Sequence, residues 1–349
     1  MSVSAFMPIP PGTSLEGKTV LITGATSGLG LEFARQALHL SASRVIITAR
    51  SQEKANAALA TLRADCQLEG MSLGDRLHSL LLELDDYDSG MNLVQNVYAK
   101  YSELDILLCN GGTNSFEFQI SKSGHERLMQ VHCYTHFLIV LSLMPLLRQT
   151  AALRGTPTRV TFVSSYSHAD HTLETNPIAP DESVISHFDN SQTPFRGTRY
   201  QDAKLVVTAY VQFLATRLLP SQVIVNCVCP GIVATNITSQ LPLWVRLILY
   251  VYFKLKARPV GEGVRVLIYA AVIVGAESHG KFVKASEMDS GATFLSQPAG
   301  SQFIAKLGAE IMIEMSRINP ELQNAFGEHG NSPLQPSRAS CKTENVVML

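Results

Sequence analysis

The feature that most constrains the fold is an apolar, β-rich run, TVLIT at residues 19–23, that passes through a glycine cluster into a helical pattern. The cluster is TGATSGLG at residues 23–30, and an apolar helical stretch follows from Leu31 to Leu40. Glycines in such a turn let the backbone approach a pyrophosphate, which meets the N-terminus of the helix. The segment predicts a dinucleotide-binding unit, although a tight turn without a ligand has the same composition.

The rest of the chain repeats this alternation of strands and helices. A second strand is predicted at residues 44–49, an alanine-rich helix at 53–64, a third strand at 79–84, and further strands at 104–109, 159–164 and 223–229. Their continuous hydrophobicity suits strands that are covered on both faces. We therefore expect one α/β domain over residues 17–326, a Rossmann-type doubly wound parallel sheet, with an N-terminal extension at 1–16 and a polar, flexible tail at 327–349.

Composition and charge limit the kinds of binding partner and cellular location that we expect for this chain. The 349-residue chain carries 28 Lys and Arg against 29 Asp and Glu, so its charge gives no reason to expect nucleic acid. Its six cysteines are too sparse for a disulfide framework and are expected to be reduced thiols, and the first residues lack the pattern of a secretion signal, which favours a cytoplasmic location. An apolar run at 241–253 is interrupted by Pro242 and Arg246 and is too short for a transmembrane span, which leaves peripheral membrane contact open.

A tyrosine and a lysine four positions apart, Tyr200 and Lys204, open an apolar helical run. Residues i and i+4 share a helix face, so we expect the ammonium beside the phenol, where it favours the phenolate of a side chain whose usual pKa is about 10. Hydride transfer at a carbinol carbon requires such a proton-transfer group. Ser164 and Ser165 follow a buried-type strand at the sheet edge where ligands bind, and a hydroxyl there can polarise a substrate oxygen.

The TGxxxGxG spacing at 23–30 and the YxxxK spacing at 200–204 resemble the short-chain dehydrogenase/reductase family, and the resemblance covers roughly residues 17–320. It implies catalytic roles for Tyr200, Lys204 and the second serine, Ser165, and an inserted loop, residues 168–197, that borders the substrate. It also implies a nicotinamide cofactor held by Gly24, Ser27, Gly28, Leu29, Gly30, Asp85, Asn110, Gly111, Tyr200, Lys204, Val233 and Thr235. The family's NNAG motif is matched only in part, because Cys109 and Gly112 depart from it.

The end of the second strand bears on the choice of cofactor. Arg50 stands where an acidic residue would bind a ribose diol, and its guanidinium can instead pair with a 2′-phosphate, which favours NADP(H). Lys54 adds a second positive charge, with a solvated helix face as an equal alternative. By resemblance, Asp85 accepts a hydrogen bond from the adenine amino group, and a turn-forming aspartate is the alternative.

The sequence departs from the family where an asparagine in an NxxGxF pattern holds a water of the proton relay behind the lysine. The corresponding run is HCYTHF at residues 132–137, so His132 replaces the asparagine. An imidazole can keep this catalytic relay and make it more pH-sensitive, because histidine titrates in the physiological range. His136 is expected to pack or to face solvent. No histidine spacing indicates zinc, so no metal is expected.

Residues 276–282, AESHGKF, resemble the C-terminal part of reductases from fungal secondary-metabolite pathways. Together with the apolar segment 241–258, they favour a hydrophobic small-molecule substrate of polyketide or terpenoid origin, interconverted between ketone and secondary alcohol. Core packing or a dimer contact explains the apolar segment almost as well. A nucleotide-binding regulatory protein that lost turnover, and dehydration or epimerisation on the same scaffold, are the alternatives. Homo-oligomerisation, which is common in the family, is left open.

Overall fold

The computed structural model describes residues 8–70, 72–192, 197–233, 258–285 and 287–325. Over these residues the predicted Rossmann-type sheet is confirmed, with the strand order β3-β2-β1-β4-β5-β6-β7-β8. Neighbouring strands are parallel from β3 to β7, and β8 pairs antiparallel with β7. The strands are β1 (Thr19–Ile22), β2 (Arg44–Ala49), β3 (Leu77–Leu81), β4 (Ile106–Cys109), β5 (Thr158–Val163), β6 (Val223–Cys229), β7 (Phe282–Lys284) and β8 (Glu287–Asp289).

Helices cover both faces of the sheet, as the unbroken apolar strands predict. They are α1 (Gly28–His39), α2 (Gln52–Arg63), α3 (Tyr87–Lys100), α4 (Arg127–Met129), α5 (Thr135–Arg154), α6 (Val184–Asp189), α7 (Arg199–Ala215), α8 (Val260–Ile268), α9 (Pro298–Ile318) and α10 (Glu321–Ala325). Successive strand residues point to opposite faces, so Val20 and Ile22 join the core formed with α1 and α8. Leu21 joins the core formed with α3, α5, α7 and α9.

The helical stretch 127–154 is long and apolar enough to cross a membrane, but 72% of its most apolar window is buried inside the fold. It is a core helix. A π-helical turn at Gln130–Tyr134 interrupts it between α4 and α5. Such a turn inserts one extra residue and redirects the backbone groups around it, and π-turns are frequent at functional sites.

The segment inserted before α7 folds against the long C-terminal helix. Glu310 of α9 accepts hydrogen bonds from the Ser183 hydroxyl (2.7 Å) and the Val184 amide (3.0 Å), which satisfies the start of α6. Asp202 of α7 accepts from the Thr172 amide at 2.8 Å. The segment is therefore tied to two helices of the core. Thr235, the apolar run 241–253 and the predicted tail at 327–349 lie outside the described residues.

Candidate active site

The glycine turn between β1 and α1 packs directly against the end of β4. A Cβ on Gly24, whose φ is +63°, would lie 2.6 Å from the Gly111 Cα. A Cβ on Gly30 would lie 2.6 Å from the Asn110 Nδ2. That amide instead donates to the carbonyls of Thr23 (2.9 Å) and Gly24 (3.0 Å). The glycines are required here because the two turns share one compact cradle at the sheet edge.

A cleft of about 620 Å³ starts at this cradle and runs along the carboxyl ends of the strands. Its volume lies in the range of small-molecule and cofactor sites. The structure brings together at this cleft most of the residues predicted from sequence: Gly24, Ser27, Gly28, Leu29, Arg50, Lys54, Asn110, Gly111, His132, Ser165, Tyr200, Lys204 and Val233. Gly30 lies behind the cradle, buried against Asn110. The shape and the glycine-lined end fit a dinucleotide.

Tyr200 and Lys204 lie one helical turn apart on α7, as predicted. The Lys204 Nζ is 5.4 Å from the centre of the Tyr200 ring and donates to the Val163 carbonyl at 2.7 Å. Ser165 accepts from the Ser167 amide (3.2 Å) and the Ser167 hydroxyl (2.9 Å), so its one proton is left to donate to the Tyr200 hydroxyl oxygen in the cleft. Ser164 instead lies buried against Thr208, with their hydroxyl oxygens 3.0 Å apart. The geometry favours Ser165 over Ser164 as the reactive hydroxyl.

Burial dominates the protonation of this pair. It raises the pKa of Tyr200 to about 12, and the hydrogen bond from Ser165 lowers it only in part. Burial also lowers the pKa of Lys204 to about 8. The ammonium lies beside the ring as expected, but burial outweighs its effect and keeps the pKa of the phenol above the ordinary value. The phenol retains its proton and is set to act as an acid.

His132 lies on the cleft wall in the π-helical turn, with its ring perpendicular to that of Tyr200. Its Nε2 lies 2.6 Å from the Thr113 carbonyl and donates to it, while Nδ1 is buried without a hydrogen-bond partner among the described residues. Burial, aided by the Lys204 charge, lowers the pKa of His132 well below the ordinary value. The expectation that this histidine makes the site pH-sensitive near neutrality is wrong, because the ring stays neutral there.

The adenosine end of the cleft differs from the expectation in one residue. Asp85 does not line it; its carboxylate accepts from the Arg127 Nε at 3.2 Å. β3 ends at Leu81, and the next three residues, Leu82, Glu83 and Leu84, line the cleft. The predicted strand end at residue 84 was three residues too late, and the adenine-binding role of Asp85 stays a prediction.

Arg50 and Lys54 are exposed at the same end of the cleft. Burial and the Asp85 charge raise the pKa of Glu83, and the Arg50 charge lowers it in part. The Lys54 backbone amide donates to the Ser51 hydroxyl that caps α2. This places the Lys54 side chain in the first turn of α2.

Arg199, the residue before Tyr200, is a buried cation that sequence reasoning missed. It is 1% exposed, pairs with Asp202 (Nη1 to Oδ2, 3.4 Å) and lies over the Phe188 ring at 5.2 Å. Its Nε is 4.0 Å from the Glu126 carboxylate. These contacts join the start of α7 to the inserted segment and to α4. No local pattern indicates them, because the partners are distant in sequence.

The chain is similar in sequence to known short chain dehydrogenases. The family model described as short chain dehydrogenase matches residues 18–173. Short chain dehydrogenase sor7 of Hypocrea jecorina is 46% identical over 81% of this chain and 79% of its own length. Short chain dehydrogenase macD of Penicillium terrestre is 36% identical over 89% of this chain and 94% of its own.

Solved structures share the fold at low identity. The complex of Pseudomonas aeruginosa RhlG with NADP has a TM-score of 0.58 and 21% identity, covering 79% of this chain and 97% of that one. The 3-ketoacyl-(acyl-carrier-protein) reductase of Brucella melitensis with NADH has a TM-score of 0.57 and 18% identity, covering 78% of this chain and 97% of that one.

Fold and site together define an oxidoreductase built on a Rossmann-type sheet. The chain belongs to the short-chain dehydrogenase/reductase family, and the expected resemblance to fungal members is confirmed.

Proposed function

We propose that the protein is an NADP(H)-dependent reductase that interconverts a ketone and a secondary alcohol on a hydrophobic metabolite. The observation that carries this proposal is the convergence of Ser165, Tyr200 and Lys204 on one cleft that also contains the glycine cradle and Arg50. A nicotinamide nucleotide, when bound, supplies the hydride. The protein must then polarise the carbonyl oxygen and move one proton to it.

The side chains divide this work. Tyr200, which is protonated at neutral pH because burial raises its pKa to about 12, gives its proton to the carbonyl oxygen as hydride addition makes that oxygen basic. Ser165, whose proton is directed to Tyr200 in the free protein, turns that proton to the same substrate oxygen and stabilises the developing charge. The Lys204 ammonium, held by the Val163 carbonyl, binds the nicotinamide ribose and stabilises the phenolate that proton transfer leaves. His132, neutral and fixed on Thr113, packs against Tyr200 and takes the place of the relay asparagine.

NADP(H) is favoured over NAD(H) by the positive charge at the adenosine end. Arg50 and Lys54 both line the cleft there, and a guanidinium can bind a 2′-phosphate with two parallel hydrogen bonds. The related folds are consistent with either nucleotide, since RhlG was solved with NADP and the Brucella reductase with NADH. The preference of this chain therefore rests on Arg50.

The substrate is proposed to be bulky and apolar, a product of fungal polyketide or terpenoid metabolism handled in the cytoplasm. Tyr166 follows Ser165 and is 52% exposed, and Ile232 follows the cleft residue Gly231 and is 42% exposed. Exposed apolar side chains this close to a reactive hydroxyl favour an apolar ligand. The fungal relatives sor7 and macD support a fungal metabolic setting.

Two measurements test the proposal. Purified protein should oxidise NADPH with carbonyl compounds drawn from a broad hydrophobic panel, and the product mass should rise by two hydrogens. Deleting the gene in a producing host should cause the parent ketone to accumulate. Nucleotide binding without turnover across the panel would instead support a regulatory protein, and loss of water from the product would indicate a dehydratase.

A further inference from the structure

His136 is a buried residue with two defined hydrogen-bond partners, and it has no role in the proposed reaction. It lies in the first turn of α5, just after the π-helical turn, and is 1% exposed. Its Nε2 is 2.8 Å from the Thr23 hydroxyl oxygen, and its Nδ1 is 3.3 Å from the His132 carbonyl. Of the two expectations for His136, packing is confirmed and exposure to solvent is wrong.

The neighbours of the ring define its tautomer. The His132 carbonyl can only accept a hydrogen bond, so Nδ1 carries the proton and donates it. Burial lowers the pKa of His136 to about 4, so the second nitrogen carries a lone pair at neutral pH. Nε2 must then accept a hydrogen bond from the Thr23 hydroxyl.

This assignment fixes all three positions around the Thr23 oxygen. The single hydroxyl proton points to His136, whose Nε2 lies at 2.8 Å, in preference to the Leu108 carbonyl at 3.4 Å, and the two lone pairs accept from the backbone amides of Asn110 (2.9 Å) and Gly111 (3.0 Å). Those two amides belong to the turn after β4 that packs on Gly24. The hydroxyl thus has every hydrogen bond it can make, and the two turns of the nucleotide cradle are held in one geometry.

We propose that His136 is a positioning residue that orients the Thr23 hydroxyl and, through it, the cradle that binds the dinucleotide. The inference rests on the proposed function, because it assumes that the cleft binds a nicotinamide nucleotide. His136 does not touch the cleft itself. Its loss should weaken nucleotide binding, since the hydroxyl proton then turns to the more distant Leu108 carbonyl and the lone pairs no longer face the two amides of the turn that meets the nucleotide.

Direct binding tests this inference without knowledge of the substrate. The dissociation constant of NADPH is measured by titration calorimetry for the wild type, His136→Phe and His136→Gln. Phenylalanine keeps the ring shape and removes both nitrogens, whereas glutamine places a carbonyl oxygen where Nε2 accepts. We expect His136→Phe to weaken binding about tenfold, the value of one well-made hydrogen bond, and His136→Gln to stay within about threefold of the wild type.

Thr23 supplies a matched second pair. Thr23→Val removes the hydroxyl with little change of shape, and Thr23→Ser retains it. Thr23→Val should weaken NADPH binding, and adding His136→Phe should cost little more, because both changes remove the same hydrogen bond. Equal losses in His136→Phe and His136→Gln, full additivity with Thr23→Val, or unchanged binding in all variants would each overturn the inference.

A spectroscopic measurement on the unmodified protein covers the case in which a variant does not fold. Imidazole ¹⁵N shifts should show His136 as the neutral tautomer protonated at Nδ1, and a ring protonated at Nε2 would contradict the assignment. A wild-type protein that binds neither NADPH nor NADH would defeat the proposed function and this inference together. If the wild type binds NADPH and the variants bind it with the same dissociation constant, only this inference is contradicted.

Discussion

The rings of His132 and Tyr200 meet at right angles, with centres 5.4 Å apart and an interplanar angle of 85°. The Lys204 ammonium lies 5.4 Å from the centre of the same tyrosine ring. The phenol is therefore positioned by a neutral imidazole as well as by the cation that the YxxxK spacing places beside it. Edge-to-face contacts of this kind contribute about 0.5–1.5 kcal/mol beyond the burial of area.

The space for the His132 ring depends on Gly112. A Cβ on Gly112 would lie 2.6 Å from the His132 Cε1, so Gly112→Ala should lower the free energy of unfolding by about 1–3 kcal/mol. In a His132→Asn background the shorter side chain should remove most of that loss. Urea unfolding of the four proteins of this double-mutant cycle is the measurement. Equal destabilisation by Gly112→Ala in both backgrounds would show that the contact is unimportant.

Replacing Tyr200 by phenylalanine should separate chemistry from binding. The substitution removes the proton donor and retains the ring that packs on His132, so kcat for ketone reduction should fall about 10²–10⁴-fold. NADPH affinity should stay within about tenfold of the wild type, because one net hydrogen bond at most is lost. Steady-state rates measure the fall in kcat, and calorimetric titration measures the NADPH affinity. Wild-type turnover by this variant would remove Tyr200 from the mechanism.

Lys204 should be destabilising for the fold. Its folded-state pKa of about 8 lies below the ordinary value of 10.5, so the buried charge costs stability at neutral pH. That cost should disappear as the pH rises from 8 to 10.5, the interval in which the unfolded chain binds more protons. Lys204→Met should therefore abolish turnover and raise the free energy of unfolding at pH 7 by on the order of 2 kcal/mol.

The pH dependence of stability is the diagnostic measurement for this prediction. The wild type should gain stability across the stated interval, and Lys204→Met should lack that rise. Lys204→Arg is the matched control, since it keeps a charge at the position and should not be stabilising. A methionine variant that is less stable than the wild type at pH 7 would contradict the assignment.

Arg50 should decide between the two nucleotides. Arg50→Asp removes the guanidinium available to a 2′-phosphate and supplies an acceptor for a ribose diol, so NADPH binding should weaken about 10–100-fold while NADH binding improves. Lys54→Ala, at the same end of the cleft, should change NADPH binding less because an ammonium lacks the bidentate fork. The ratio of the two dissociation constants is measured for each variant. A ratio that Arg50→Asp leaves unchanged would place the cofactor preference elsewhere.

Local patterns predict much of this molecule because the features concerned are local. The glycine turn and the Tyr200–Lys204 pair are set by spacing within one turn or one helix, and the structure places both as expected. The end of β3 was predicted too late because propensity does not define a strand end, and β3 stops at Leu81, where its pairing with β2 ends.

Other properties depend on contacts between distant parts of the chain. His136 and Thr23 are 113 residues apart, and their hydrogen bond exists only because α5 passes beneath the ends of β1 and β4. The neutral state of His132 likewise results from burial, which a single sequence does not reveal at one position. Such contacts become visible only in three dimensions.

The bond between Glu310 and the start of α6 has a consequence for building hybrids of these enzymes. Exchanging the stretch ahead of Tyr200 with that of a relative, as a way to transplant selectivity, would leave the incoming helix start without its carboxylate unless the donor's C-terminal helix came with it. The two pieces, far apart in the gene, form a single exchangeable module.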